Sequence, residues 1–286
     1  MGSFMTNRVH IEKNSVQETL VIPLYARKLC AEQFPTLYQD AYASKICELI
    51  DYDFSQFKGK ENSVLHQFGG LEGAMREKDM IWEITDYLKT YPKAAVVNLG
   101  CGLNMTGRSA DNGQCRIYNL DFPDVIKSRN EIIPAGEREE NISCDLNDFS
   151  WMDKIDAQSG AVLYAAGVFH YFTTKQIKEM VVAMADSFPG GRLVFDTVGK
   201  FGRDVFMRGV LKNMGMDNFS GLFYAKDARD LEGWSDKVRL VTRKSYMQGY
   251  YKLDAPNIKG IHRFFAGFCD NVAKMYINRM EFAEMS

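Results

Sequence analysis

The feature that most limits what this chain can fold into is residues 95–103, Ala-Val-Val-Asn-Leu-Gly-Cys-Gly-Leu, an apolar run that ends in Gly-x-Gly. A strand that must turn at once into a helix beside a ligand uses glycine there, because a residue without Cβ reaches left-handed backbone angles and lets the chain pass close to a bound group. Gly100 and Gly102 are therefore candidate ligand-binding positions. A second apolar run, Arg116-Ile117-Tyr118-Asn119-Leu120, ends about twenty residues later at Asp121, where such folds place the carboxylate that takes the ribose hydroxyls of an adenosine cofactor. A third, Asn141-Ile142-Ser143-Cys144, runs into Asp145 and Leu146, a carboxylate to accept from an exocyclic adenine amine and backbone to contact the ring. Three strand ends point at one adenosine. A dinucleotide fingerprint also needs a glycine three residues after the second, and that position is Met105, which argues against a nicotinamide cofactor.

The rest of the chain keeps this rhythm. Strands are expected near 94–99, 116–120, 139–143, 161–165 and 192–196, with helices between them, the alternation of a parallel sheet covered on both faces. The clearest helix is 174–186, opened by the capping box Thr173-x-x-Gln176 and carrying Ile177, Met180, Val181 and Met184 on one face. Two later segments, 238–247 and 276–282, are expected to close the sheet as an antiparallel hairpin. Before the first strand, helices are expected at Val16–Phe34, interrupted at Pro23, at Pro35–Ile50, and at Leu71–Tyr91, where Pro92 stops the chain. The length and the 46% hydrophobic content suit a single domain over 1–286: a helical cap over 1–92, a cofactor-binding core over 93–199, and terminal strands and a helix over 236–286. Between them, 200–235 is rich in Phe201, Phe206, Met207, Met214, Met216, Phe219, Phe223 and Tyr224. It is either a lid over an acceptor pocket or extra helices completing the core.

Composition excludes other classes. A net charge of −2 gives no electrostatic footprint for nucleic acid. The six cysteines, at 30, 47, 101, 115, 144 and 269, form no Cys-x-x-Cys pair and have no His-rich partner segment, so no metal site is expected. No secretory leader and no membrane-spanning apolar stretch of about 18 to 20 residues is read, and a reduced cytoplasmic setting is expected. The sequence does not give the oligomeric state.

The chain resembles the leucine carboxyl methyltransferase family, and more closely its bacterial branch of polyketide-type O-methyltransferases. The likeness is carried by Gln17-Glu18-Thr19, Pro23-Leu24-Tyr25-Ala26-Arg27, Asp40-Ala41-Tyr42-Ala43, the Arg76 helix, Asn98-Leu99-Gly100-Cys101-Gly102-Leu103, Leu120-Asp121-Phe122-Pro123, Gly167-Val168-Phe169-His170-Tyr171 and Gly191-Arg192-Leu193-Val194-Phe195-Asp196, in the family's order. It implies a Rossmann-like class I methyltransferase with a seven-stranded, mostly parallel sheet. The implied donor is S-adenosyl-L-methionine, leaving S-adenosyl-L-homocysteine, and the implied partner is a small-molecule methyl acceptor. The alternatives are a carboxylate acceptor, as at a protein C-terminus, and a cofactor-binding protein without catalysis. The resemblance also carries over Arg76 as the partner of the cofactor carboxylate, suited by its two-pronged guanidinium.

Asn98 stands where many proteins of this fold have an acid that orders the cofactor's amino end. Ala166 replaces the family's usual Glu, Asn104 its usual Asp, and Arg108 is displaced from the expected arginine position. His170 and Tyr171 follow the 161–165 strand on the acceptor side and are the candidate catalytic pair, a histidine to take a proton and a tyrosine to orient the acceptor.

Overall fold

The structure is a computed structural model that describes residues 8–11, 16–57, 59, 63–207 and 221–284. A short strand β1 (Val9–His10) pairs in parallel with β2 (Ile50–Asp51), and helices α1 (Val16–Gln33) and α2 (Ala43–Leu49) lie between them. Helix α1 runs through Pro23 without the expected break. Proline removes one intrahelical hydrogen bond, but Val21 and Leu24 on either side are both fully buried, and that burial holds the helix together. The helix expected from Pro35 begins only at Ala43. Asp40 is the reason: its Oδ1 accepts from the backbone N–H groups of Tyr42 and Ala43 at 2.9 and 2.8 Å, a local bond that competes with helix.

Helix α3 (Val64–Thr90) starts one and a half to two turns earlier than the sequence pattern suggests, about seven residues ahead of Leu71. Ser63 caps it by accepting from His66 N. Gly70 marks a close crossing of α1, since a Cβ there would lie 2.9 Å from the Ala26 carbonyl oxygen.

The main sheet contains β3 (Ala95–Leu99), β4 (Arg116–Asp121), β5 (Glu139–Ser143), β6 (Ala161–Ala165), β7 (Arg192–Thr197), β8 (Val238–Ser245) and β9 (Tyr276–Phe282). Their order is β5-β4-β3-β6-β7-β9-β8, with β3 to β7 parallel and β9 antiparallel to both β7 and β8. This is the expected seven-stranded, mostly parallel sheet with its terminal hairpin. Strands β3 and β6 are buried at every position. Their alternate residues feed two cores: Val96 and Val162 meet Leu71, Met75 and Ile84 of α3, and Val97 and Leu163 meet the other layer.

Helices α4 (Thr106–Ser109), α5 (Pro123–Ile132) and α6 (Thr174–Ser187) connect the strands. The Thr173/Gln176 capping box forms, and Ile177, Met180, Val181 and Met184 are fully buried. Because β4 and β6 leave β3 on opposite sides, a crevice opens beyond the carboxyl end of β3, where ligands bind in open α/β sheets.

After β7 come α7 (Lys200–Gly202) and a π-turn, Arg203–Met207. The segment 208–220, with Met214, Met216 and Phe219, lies outside the described residues, as do the side chains of Phe206 and Met207. Beyond it the chain completes the core. Leu222 bridges Thr173, Phe223 N donates to Phe172 O at 2.8 Å, and the fully buried Phe223 ring meets Phe169 and Trp234. Helix α8 (Gly260–Asn271) then packs on the α3 side and leads into β9. All six cysteines are free, and no helix among the described residues is long and apolar enough to cross a membrane.

Candidate functional site

The turn after β3 adopts the geometry its glycines allow. Gly100 has φ +65° and Gly102 φ +47°, left-handed values that other residues enter only with strain. A Cβ at Gly100 would lie 2.6 Å from Val168 Cγ2, so this turn is pressed against the turn that follows β6. Asp121, at the end of β4, holds the turn from the other side: its Oδ2 accepts from Gly102 N at 2.8 Å and its Oδ1 from Phe122 N at 2.8 Å. Burial pushes the Asp121 carboxyl up from its ordinary value, and the two backbone donors oppose this. Asp145 is exposed beyond β5 and accepts from Asn147 N at 2.9 Å, while the adjacent Leu146 side chain is buried. The carboxylates of Asp121 and Asp145 thus stand at the ends of adjacent strands.

Asn98 points into the sheet face and joins a ladder of amides in register. Its Nδ2 donates to Asn119 Oδ1 at 3.3 Å, Asn119 Nδ2 donates to Asn141 Oδ1 at 3.0 Å, and Asn141 Nδ2 donates to Asn130 Oδ1 at 2.7 Å. Arg129 ties this ladder to the glycine turn. Its buried guanidinium donates to Asn141 Oδ1 at 3.3 Å and to the carbonyls of Gly102 and Asn104 at 2.8 and 2.9 Å. Sequence reasoning missed Arg129, because its only local signal is its place on the amphipathic helix α5. Asn104 Oδ1 accepts from the backbone N–H of Thr106 at 2.7 Å just ahead of α4, and Arg108 pairs with Glu139 on β5.

The second half of the site lies beyond β6 and β7, with Asp196 at its centre. Asp196 is almost fully buried and its oxygens meet three donors: Gly167 N at 2.7 Å, Arg76 Nη1 at 3.3 Å and His170 Nε2 at 3.2 Å. Arg76 and the bonds from His170 and Gly167 overcome the burial penalty and hold the Asp196 carboxyl well below the usual carboxylate range. The Arg76 guanidinium lies over the Gly167 turn, where a Cβ would be 2.7 Å from Nη1 and would push the guanidinium aside, while φ +74° itself favours glycine there.

His170 donates through Nε2 to the carboxylate, so in the neutral ring Nδ1 is the acceptor nitrogen; it is buried and has no hydrogen-bond partner among the described residues. Tyr171 is half-buried beside Arg76 and Asp196, and burial pushes its hydroxyl up. The structure therefore brings Arg76, His170 and Tyr171 together, and Asp121, Gly100 and Gly102 together, on either side of the β3–β6 crevice. Asp196 closed the quoted Gly191–Asp196 motif but was not singled out, since its partner Arg76 is 120 residues away.

The donor set fits an adenosyl cofactor with an amino-acid tail. A carboxylate fixed by backbone at a glycine turn suits a ribose diol, the Asp145–Leu146 corner suits a purine edge, and a partly exposed guanidinium suits a carboxylate. No protein-family model matches the chain. It is 27% identical over 191 residues to the tetracenomycin polyketide synthesis O-methyltransferase of Streptomyces glaucescens, covering 66% of this chain and 68% of that protein. It is 24% identical over 294 residues to an S-adenosyl-L-methionine-dependent methyltransferase of Gibberella zeae, covering 96% of this chain and 95% of the relative. Among solved structures, a candidate methyltransferase from Thermobifida fusca superposes with a TM-score of 0.58 at 13% identity, covering 91% of this chain and 94% of that one. The fold is that of the class I methyltransferases.

Proposed function

We propose that the chain is an S-adenosylmethionine-dependent methyltransferase that methylates an oxygen of a small-molecule acceptor. The observation that carries the reading is the glycine turn held by Asp121 at the switch point of a class I methyltransferase sheet. The similarity to two methyltransferases, one of them an O-methyltransferase of polyketide synthesis, supports it. The bound cofactor would supply a methyl group on a sulfonium, activated for in-line displacement by an acceptor oxygen.

The residues of this chain bind and orient. Asp121 takes the ribose hydroxyls, Gly100 and Gly102 let the backbone pass close to the nucleoside, and Asp145 with the Leu146 backbone reads the adenine edge. Arg76 shows only Nη1 to Asp196, which leaves further guanidinium donors for the cofactor carboxylate. Asn98 stays in its amide ladder and orders the turn from beneath. On the acceptor side, His170 Nδ1 takes the proton of the acceptor hydroxyl, Asp196 fixes the tautomer through Nε2, and Tyr171 lines the pocket. The burial of these groups excludes water from the reacting atoms.

Calorimetry with S-adenosylhomocysteine tests the cofactor half. Wild type is expected to bind and Asp121→Ala to lose roughly 10- to 150-fold, the equivalent of about 1.5–3 kcal/mol for charge-assisted bonds. Absence of binding to the wild type would refute the reading. Mass spectrometry of an extract incubated with isotopically labelled methyl donor then identifies the acceptor without a prior guess.

A further inference from the structure

Five of the nine large apolar side chains that stand exposed among the described residues, Phe201, Val205, Ile261, Phe264 and Val272, gather on two adjoining segments. Single exposed apolar residues such as Ile22, Leu49, Tyr91 and Phe122 are ordinary, whereas a contiguous group marks a surface that meets something. Ile261, Phe264, Phe268 and Val272 recur at three- and four-residue spacing, so they form one stripe along α8, turned from the side that buries His262, Ala266 and Cys269. Phe201 of α7 extends the stripe: its ring meets Phe268 edge-on at 6.2 Å, and Val205 follows four residues later in the π-turn. Backbone fastens the two segments together, since Gly199 N donates to Ala273 O at 2.9 Å.

The free charges around the stripe have one sign. Lys259 and Arg263 at the start of α8 and Lys200 beside Phe201 are exposed, Lys274 just past Val272 is partly so, and none of the four forms an ion pair among the described residues. The acids on these segments are engaged elsewhere: Asp270 is buried and accepts from Met247 N at 3.0 Å, and Asp204 pairs with Arg203 at 2.7 Å. A second copy set against the stripe would bring this basic rim toward itself, whereas an anionic surface is attracted by it. Phe264 is 66% exposed, so its ring stands out of the surface. A folded partner must offer such a ring a pocket, but a bilayer interface takes up a protruding aromatic side chain flanked by cations without one.

We propose that α8 and the turn after β7 dock the protein on an anionic lipid surface, with the Phe264 stripe in the interfacial layer and the lysines and Arg263 among the headgroups. The contact is peripheral, because the 12 residues of α8 are too few to cross a bilayer. It turns the acceptor end of the sheet toward the lipid: α8 leads into β9 at Tyr276, which pairs with Thr197 next to Asp196. Docking does not depend on the methyl-transfer reading, which cofactor calorimetry tests separately.

Co-sedimentation of the full-length protein with vesicles of phosphatidylcholine, alone or with about 30% phosphatidylglycerol, tests the proposal. Anionic lipid is expected to strengthen binding at least about tenfold, and about 0.5 M salt to remove most of that gain. Phe264→Ser should weaken binding to the mixed vesicles by roughly tenfold, and Lys259→Glu combined with Arg263→Glu should abolish the preference for anionic lipid. Unfolding midpoints show that each variant is folded, and the charge variant, confined to exposed side chains, decides the matter where Phe264→Ser fails to fold. Mixed vesicles left unbound by wild type, or binding that neither variant changes, would overturn docking on lipid. So would a wild-type dimer in analytical ultracentrifugation that Phe264→Ser splits, which would assign the stripe to a second copy.

Discussion

Arg76→Ala removes the cation from a carboxylate that is 3% exposed, and the structure sets the size of the effect. Deleting one partner of a buried ion pair commonly costs about 3–5 kcal/mol, because the other charge is left uncompensated. Here the contact is a single one at 3.3 Å, the Arg76 side chain is 23% exposed, and Asp196 keeps Gly167 N and His170 Nε2. The expected loss is therefore below that range, about 2 kcal/mol at pH 7. Its pH dependence follows from the direction of the Asp196 shift. A carboxyl held below its unfolded value contributes stability above about pH 4, and that contribution is lost as pH falls through the folded value. Without Arg76 the Asp196 carboxyl returns toward its ordinary range, so the gap between wild type and variant should be full at neutral pH and begin to narrow below about pH 4.

Urea unfolding from pH 7 down to pH 3 measures this, and S-adenosylhomocysteine calorimetry on the same samples measures the site. Arg76→Lys should recover part of the stability, since an ammonium still offsets Asp196, but not the cofactor affinity, since it lacks the fork. A gap under about 0.5 kcal/mol at pH 7, or one that widens on acidification, would refute the reasoning.

Three further outcomes are expected. Gly100→Ala combines a left-handed φ with a 2.6 Å approach to Val168, so it should lower stability by about 2–4 kcal/mol in thermal unfolding and abolish measurable cofactor binding; unchanged values would mean that the turn is soft. Asp79 is fully buried and its carboxyl is pushed up to about 7, so its ionisation destabilises the fold as pH rises from about 4 through 7. Asp79→Asn should accordingly gain on wild type by about 2 kcal/mol between pH 5 and pH 8 in urea titrations, and a constant difference would show that Asp79 does not titrate there. His170→Ala should keep cofactor affinity while lowering turnover of the first identified hydroxyl substrate by roughly 10²- to 10⁴-fold; full activity would leave positioning alone as the mechanism.

Part of the sheet was legible because fully buried parallel strands announce themselves as apolar runs, as at 95–99 and 161–165. The half-exposed 139–143 and the antiparallel 276–282 were legible too and emerge with the expected bounds. The N-terminal part was less so. The expected helix begins at Leu71, whereas α3 begins at Val64 and takes in Gly69 and Gly70, the second at the close crossing of α1. The Asp40 turn, likewise, wins over a helical pattern only because its side chain finds two backbone donors. In the candidate site, the meeting of the Gly100–Gly102 turn with Asp121 was legible because a glycine turn and a strand-end carboxylate keep a fixed spacing along the chain. Asp196 and Arg129 depend on partners brought from other elements, and no spacing in the sequence records those contacts.

The asparagine ladder has an electrical consequence. Each amide in it donates in the same direction, from β3 outward through Asn119 and Asn141 to Asn130, so the dipoles run head to tail and reinforce one another. The carbonyl end of that relay is Asn98, at the strand that enters the glycine turn. A row of uncharged side chains thus gives this strand a negative pole without a carboxylate, and one that neither proton concentration nor added salt can readily discharge.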